Sequence, residues 1–173
     1  LGQIKGHIAS SWSNEDDNRV WSFEIRKDFK FSNSDVITPK IVALNFTRIL
    51  YLMNSNDSKT SPFDTLLGFN SIKSPTDIPA GITYTNTNIR FEFNAPANKL
   101  LEQISFGLYG IAHLNDFDPK TGEWNNPHKA TASGAHIIKN WEDDKITLTN
   151  NLLYPSDLTH PKMLKKIELV WSE

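Results

Sequence analysis

The 173-residue sequence contains no cysteine. Disulfides, thiolate metal sites and cysteine nucleophiles are thereby excluded, while the redox compartment stays open. No apolar run approaches the roughly 20 residues of a membrane-crossing helix. Neither sign of charge dominates: 18 Lys and Arg stand against 20 Asp and Glu, a net charge of −2. A broad electrostatic pull on nucleic acid or anionic membrane is not expected. The opening "LGQIKGHIASSW" has no signal-peptide pattern, so any secretion signal is expected outside this sequence.

Chemical motifs are also scarce. No G-x-S-x-G elbow, P-loop or dinucleotide fingerprint occurs, and Ser133 before Gly134 does not follow a recognisable strand. His7, His113, His128, His136 and His160 include no pair at helical ligand spacing, leaving only a site assembled across distant segments. "DFDPKTGEW" starts like a calcium loop with Asp116 and Asp118. It then places Lys120 where an oxygen ligand belongs and Gly122 one position late, so a plain Asp/Gly turn is expected. The acidic runs Asp16/Asp17 and Glu142/Asp143/Asp144 fall in polar turns and are expected to be solvated. We expect no catalytic residues, metal or cofactor, and no enzyme; the balance tilts toward binding.

What is present is a folding pattern. Hydrophobic residues make up 38% of the chain, with ten Phe and five Trp, enough bulk for a core. Strands are expected over 7–13 and 19–26, joined by "NEDDN"; Trp21, Phe23 and Ile25 alternate with Ser22, Glu24 and Arg26. After the turn "SNSD", Thr38 reads as an N-cap and Pro39 as the first residue of a helix to about Leu52. The polar loop "NSNDSKTSP" should end it, before a short helix or turn at 62–67. "GITYT" and "IRFEFN" read as a hairpin, "APANKLLEQISF" as a helix, and "LYGIAHL" as a short buried strand. "AHIIKNW", "KITLTN" and "KKIELVW" are three further strands. The fold class expected is α+β (mixed α/β), with Trp12, Trp21, Phe23, Phe31, Phe46, Phe91, Phe93 and Trp141 in the core. The edge near "KKIELVW" should lack a partner strand.

Three segments, in order, resemble the family 5 extracytoplasmic solute-binding proteins, the peptide-, oligopeptide- and nickel-binding components of ABC transporters. In "IASSWSNEDDNRVWSFEIRKDFKFSNSDVITPKIVALNFTRIL", Trp12, Trp21, Phe23, Arg26, Thr38 and Arg48 fall in the family's register. "GITYTNTNIRFEFNAPANKLLEQIS" is similar to its hairpin and short helix. "ATASGAHIIKNWEDDKITLTNNLLYPSDLTHPKMLKKIELV" matches at Gly134, Ile138, Trp141, Ile146, Leu148, Tyr154 and Ile167. The sequence departs from the family at a turn glycine, here Ser34, at a helix-start acid, here Ile41, and at an aromatic, here His136.

The resemblance implies part of the first lobe of a two-lobed periplasmic-binding-protein-like fold, with about 14–110 forming the group's extra subdomain and about 111–173 returning into the first lobe. It implies non-catalytic capture of a peptide or other small solute, oligopeptide- or dipeptide-like, for an ABC-type importer. The implied partners are the ABC permease membrane subunits and the missing second lobe of the same protein, with no nucleic acid bound by this segment. The place implied is the periplasm or cell surface, a lipid anchor being allowed. The other reading on the same fold is the ligand-sensing domain of a cytoplasmic transcriptional regulator. Cleft-facing residues are expected on loops: Phe63 and Phe69 as an apolar wall, Asn70, Ser133 and His136 as hydrogen-bonding groups. With one wall missing, weak solute binding by the 173-residue chain alone is expected.

Overall fold

The structure, a computed structural model, describes residues 4–55, 62–158 and 164–171. Two antiparallel sheets are linked by irregular chain. Strands β1 (Ala9–Glu15) and β2 (Val20–Ile25) form the first hairpin, turned by Asp16, Asp17 and Asn18 at φ 49, 53 and 62°. Asp and Asn tolerate the left-handed region better than other non-glycine residues, which explains the acidic turn. Strands β3 (Ile82–Tyr84) and β4 (Asn88–Glu92) form the second hairpin, and the sheet order is β1-β2-β4-β3.

The register aligns Trp12 with Phe23, Phe23 with Ile89, Trp21 with Phe91 and Phe91 with Ile82, so one face is continuously apolar. The other face carries Ser11, Ser22, Glu24, Arg90 and Glu92, with Arg90 and Glu92 paired at 2.6 Å. The period-two pattern thus yields one dry and one wet face.

Helix α1 (Pro39–Ser55) covers the dry face with Val42, Phe46, Ile49, Leu50 and Met53. Thr38 caps it: its Oγ1 accepts from the Ile41 amide at 3.3 Å, and Pro39 takes the position where a missing N–H costs nothing. The helix runs past Leu52. Most of the polar loop expected after it lies at 56–61, outside the described residues.

Between Phe31 and Asp35 the chain makes a tight reversal. The Ser34 amide donates to Phe31 O at 3.0 Å, the Phe31 amide to Asp35 O at 2.9 Å, and Ser34 sits at φ 78°. This is a position for glycine, and a Cβ there strains the backbone by about 1 kcal/mol. Ser34→Gly is therefore expected to raise stability by up to about 0.5 kcal/mol once the entropy cost of a more flexible unfolded chain is taken off; urea midpoints of the two proteins check this.

Helix α2 (Leu100–Ile104) is shorter than expected. "LYGIAHL" is not a strand. A 3-10 turn at Gly107–Tyr109 leads into extended chain, and Ala112 pairs with a side chain: Asn45 Nδ2 donates to Ala112 O at 2.9 Å and Asn45 Oδ1 accepts from its amide at 3.0 Å. Asn45 is 1% exposed. A side-chain amide here takes the place of a neighbouring strand.

The second sheet has the order β5-β6-β7, with β5 (His136–Trp141), β6 (Lys145–Asn150) and β7 (Lys166–Val170). Ile138, Leu148 and Ile167 stand side by side across it, as do Trp141, Ile146 and Leu169. None of the six joins the buried core, and Leu169 is 48% exposed. Among the described residues β7 pairs only with β6, so the edge expected to be open is open. Trp141, expected in the core, instead stacks on His128 with centroids 4.4 Å apart. Trp12 is only partly buried, packed against the core from its edge.

Candidate binding cavity

A cavity of about 470 Å³ opens where the first sheet, both helices and the chain linking the sheets meet. Its floor is the dry sheet face, through Trp12, Phe23, Ile25, Ile89 and Phe91. Val42 and Phe46 of α1 and Leu101 and Ile104 of α2 supply two walls. Phe106, Tyr109, Ile111 and the Ser133–Gly134 step close the far side, and residues 4–9 form the near lip. Its size lies within the range of ligand sites, roughly 300–1,000 Å³. Phe106 and Leu108, exposed at 65% and 61%, extend apolar surface out from its rim.

The structure separates the five residues expected to face a cleft. Phe63 is 0% exposed, ringed by Phe46, Phe91, Phe93 and Tyr109 at centroid distances of 5.2 to 6.1 Å. Phe69 is 4% exposed. Both are core residues and form no exposed wall. The reason is local: 3-10 turns at Phe63–Thr65 and Phe69–Ser71 roll both rings inward. Asn70, beside Phe69, is exposed. Ser133 does border the cavity, with its hydroxyl donating to Ile111 O at 2.5 Å. His136 lies on β5 outside the cavity lining, its Nε2 2.7 Å from Leu164 O.

The Ser133 segment is held from both sides. Ser32 N donates to Ala132 O at 2.8 Å and Ser32 Oγ accepts from the Ala132 amide at 3.2 Å. On the other side Asn151, 5% exposed, donates through Nδ2 to Gly134 O at 2.9 Å. Gly134 meets no backbone requirement for glycine: its φ is outside the left-handed region, and an added Cβ would meet nothing within 4 Å.

Several polar anchors went unread in the sequence. Arg26 grips Asp28 and Asp157 at 2.7 Å each, tying the end of β2 to the 156–158 turn. Both carboxyls are held below their usual range by the hydrogen bonds from this guanidinium. His113, buried, accepts from the Asn115 amide at Nδ1, so Nε2 carries the proton donated to Asp35 at 2.8 Å. Asp116 accepts from the Thr131 amide at 2.7 Å and Asp118 from the Lys120 amide at 2.7 Å, which makes "DFDPKTGEW" an Asp turn. Arg48 lays its guanidinium 3.6 Å over the Phe117 ring, and its Nε donates to Gly122 O. Burial pushes this group down to about 10, so it remains a cation at neutral pH. Among the described residues no cluster of three His, Cys, Asp or Glu could hold a metal; His160 lies outside them.

At the cavity lip, His7 Nε2 lies 2.6 Å from the Tyr154 hydroxyl, and its ring packs 5.0 Å from Phe29. Burial, then Arg26, lowers the His7 pKa, while burial raises that of Tyr154. The phenol therefore stays protonated and donates to a neutral imidazole. In the unfolded chain His7 titrates near ~6.5. Because the unfolded state binds the proton more readily, stability is complete above that pH and falls as the pH drops from ~6.5 toward the lowered folded value. Urea midpoints between pH 8 and 5 should show this slope, and His7→Gln should flatten it. The carboxylates of Asp28, Asp35 and Asp157, all lowered, act only below ~4 and do not overlap this window.

The arrangement is one of shape and apolar contact, with hydrogen-bonding groups spent on holding the walls. The profile of the bacterial extracellular solute-binding proteins, family 5, middle region, matches residues 3–169, and the chain belongs to that family. It is 25% identical over 171 residues to the periplasmic oligopeptide-binding protein OppA of Salmonella typhimurium, covering 89% of this chain and 30% of that protein. The periplasmic murein peptide-binding protein MppA of Escherichia coli is 24% identical over 149 residues, covering 80% and 26%.

Among solved structures, Haemophilus influenzae OppA in complex with RPPGFSPFR superposes with a TM-score of 0.75 at 20% identity, covering 90% of this chain and 31% of that one. NikA from Brucella suis with Fe(III)-EDTA gives 0.70 at 17% identity, covering 98% and 31%. The fold is thus an α+β part of a periplasmic-binding-protein fold, and the chain spans about a third of the length of these relatives.

Proposed function

We propose that this chain forms part of the first lobe of a solute-binding component of an ABC-type importer, holding a peptide-like solute without covalent chemistry. The observation that carries this reading is the family match across residues 3–169. The relatives matched over most of the chain, oligopeptide- and murein peptide-binding proteins of the periplasm, favour a peptide over other solutes. The work would then be done in the periplasm or at the cell surface, with or without a lipid anchor, and delivery would be to ABC permease subunits. Residues of about 14–110 serve as the extra subdomain and about 111–173 as the return into the first lobe.

The second wall of the solute site comes, in this proposal, from polypeptide beyond these residues. The open β7 edge and the half-exposed apolar face of Ile138, Trp141, Ile146, Leu148, Ile167 and Leu169 support a protein cover there, because such a sheet face is ordinarily buried against another layer. In this reading Ser133, at the cavity border, is the polar group offered to solute; Asn70 and His136 would meet it only outside the cavity lining, and Phe63 and Phe69 act from behind as packing.

Titration calorimetry of the 173-residue chain and of a polypeptide supplying both lobes, each against a tripeptide library, tests the reading. Closure from both sides stabilises a bound solute that one wall leaves half exposed, so the two-lobed protein should bind tighter by on the order of 100-fold or more. Equal affinities, or a solute altered by the protein, would overturn it.

A further inference from the structure

The two sheets share no core. The buried cluster of the first sheet and its helices takes in Tyr154 and Leu158 but, among the described residues, no member of β5, β6 or β7. The chain passes from the first body to the second at a definite border. Before it, three successive residues are fastened to the first body. The Thr131 amide donates to Asp116 at 2.7 Å, Ala132 is bonded to Ser32 in both directions, and the Ser133 hydroxyl donates to Ile111 O at 2.5 Å. After it, the bonds go to the second body. The Gly134 carbonyl accepts from Asn151 Nδ2 at 2.9 Å, the Ala135 carbonyl from the Asn151 amide at 2.9 Å, and His136 pairs with Asn150 of β6. The handover falls between Ser133 and Gly134. A glycine with nothing within 4 Å of an added Cβ is the residue best able to absorb a change of backbone angle there.

A second connection is not covalent. Beyond β6 the chain turns back onto the first body, where Tyr154 meets Phe29 edge-on with centroids 5.8 Å apart. Arg26, just after β2, donates Nη1 to Asp157 Oδ2 at 2.7 Å and Nη2 to Asp157 Oδ1 at 2.9 Å. Its Nε and Nη2 also donate to Asp28 at 3.0 and 2.7 Å, so the planar fork is oriented from its own side before it takes the second carboxylate. The Asp157 side chain is 60% exposed, so water can take over its bonds when the pair parts. Between Asn151 and Tyr154 the chain is again loosely held, with Leu152 93% exposed. At the far end of β5 the stack of Trp141 on His128 is a surface contact, His128 being exposed.

We propose that the second sheet is a hinged body that pivots at Gly134 and Leu152, and that the Arg26–Asp157 pair is the latch fixing its angle to the first sheet. In a hinge a few loop residues absorb the change in backbone angles while the packed elements stay rigid. Here the rigid parts are the two hydrogen-bonded sheets, and the yielding parts are the two short crossings between them. The pivot lies in the wall of the cavity, which both Ser133 and Gly134 line. The inference stands on bonds within this chain and does not rest on the importer reading.

The sequence has no cysteine, so pairs of cysteines introduced at chosen sites can carry spin labels without background. Thr83 on β3 and Lys139 on β5 are exposed and lie on different bodies, whereas Thr83 and Lys99, also exposed, lie on the same one. Between labels at Thr83 and Lys139 the parent chain should give a single narrow distance distribution by pulsed electron resonance. Asp157→Asn should add a second population at a shifted distance. Asp16→Asn, which breaks the Arg19 pair inside the first body, should not. Adding Gly134→Val to Asp157→Asn should shrink the second population, because a Cβ removes the backbone freedom of glycine. The distance from Thr83 to Lys99 should match the parent in every variant. An Asp157→Asn chain with the parent's distribution, or a parent already as broad as that variant, overturns the latch. A second population untouched by Gly134→Val overturns the pivot. A change between Thr83 and Lys99 in Asp157→Asn overturns the proposal as a whole, since the pair would then hold the first body together instead of setting an angle.

Discussion

Phe63→Ala should lower the unfolding free energy by about 3–5 kcal/mol, the cost of removing a large aromatic from a packed core. The ring is wholly buried and meets four others, Phe46, Phe91, Phe93 and Tyr109. Neighbours on α1, on and just after β4, and in the 3-10 turn after α2 prevent the site from collapsing onto the space left behind. With total stability of about 5–15 kcal/mol for an ordinary domain, the variant would be marginal. A residue on an exposed ligand wall would give a different result: unchanged urea midpoint and weakened solute binding. Equilibrium denaturation followed by tryptophan emission separates the two.

Asn45→Leu should cost about 2–3 kcal/mol despite its similar volume. The substitution strands the N–H and C=O of Ala112, and a buried backbone group without a partner costs about 1–3 kcal/mol. Ala112 is only half-buried, so water recovers part of that sum. The loss should have a second, local signature. Asn45 fixes the chain that follows Tyr109, and Tyr109, Gly110 and Ile111 line the cavity. Amide exchange at 110–113 should therefore accelerate more than in α1. Uniform acceleration across the first sheet and both helices would assign Asn45 a purely global role.

Legibility in the sequence followed the reach of the interactions concerned. The hairpins of the first sheet were readable because alternation in Trp21, Phe23 and Ile25 and in Ile89, Phe91 and Phe93 reports a face, and a face is a local property. Thr38 and Pro39 announced the start of α1 for the same reason, through a bond spanning three residues. The open edge at β7 followed from the resemblance, which implies neighbouring parts of the lobe outside these residues; among the described residues β7 pairs only with β6.

Loops behaved otherwise. "PFDTLLGFN" carries two aromatics, but no period tells which way they point; that is decided by 3-10 turns and by the partners of Phe63 on distant elements. "LYGIAHL" has the composition of a buried strand, yet its backbone is satisfied by Asn45, 67 residues away. A signal was available there. Asn45 falls on the same helical stripe as Val42, Phe46 and Ile49, and a polar side chain in an apolar stripe asks for a buried partner. Arg48 gave a similar hint from within the α1 pattern, and its partners, Phe117 and Trp124, could not be foreseen. Of the expected site, only Ser133 borders the cavity. Most of the cavity walls are core residues, which periodicity identifies as core without showing where the packing stops short.

The claim on which the account rests is that this fold holds a solute and releases it unchanged. Purifying a polypeptide with both lobes under native conditions, denaturing it, and analysing the released material by mass spectrometry tests that claim most directly. The expected result is a small set of intact peptides, close to one per protein. A preparation with no bound solute that also ignores an added peptide library, or one that returns the library cleaved or modified, would contradict it.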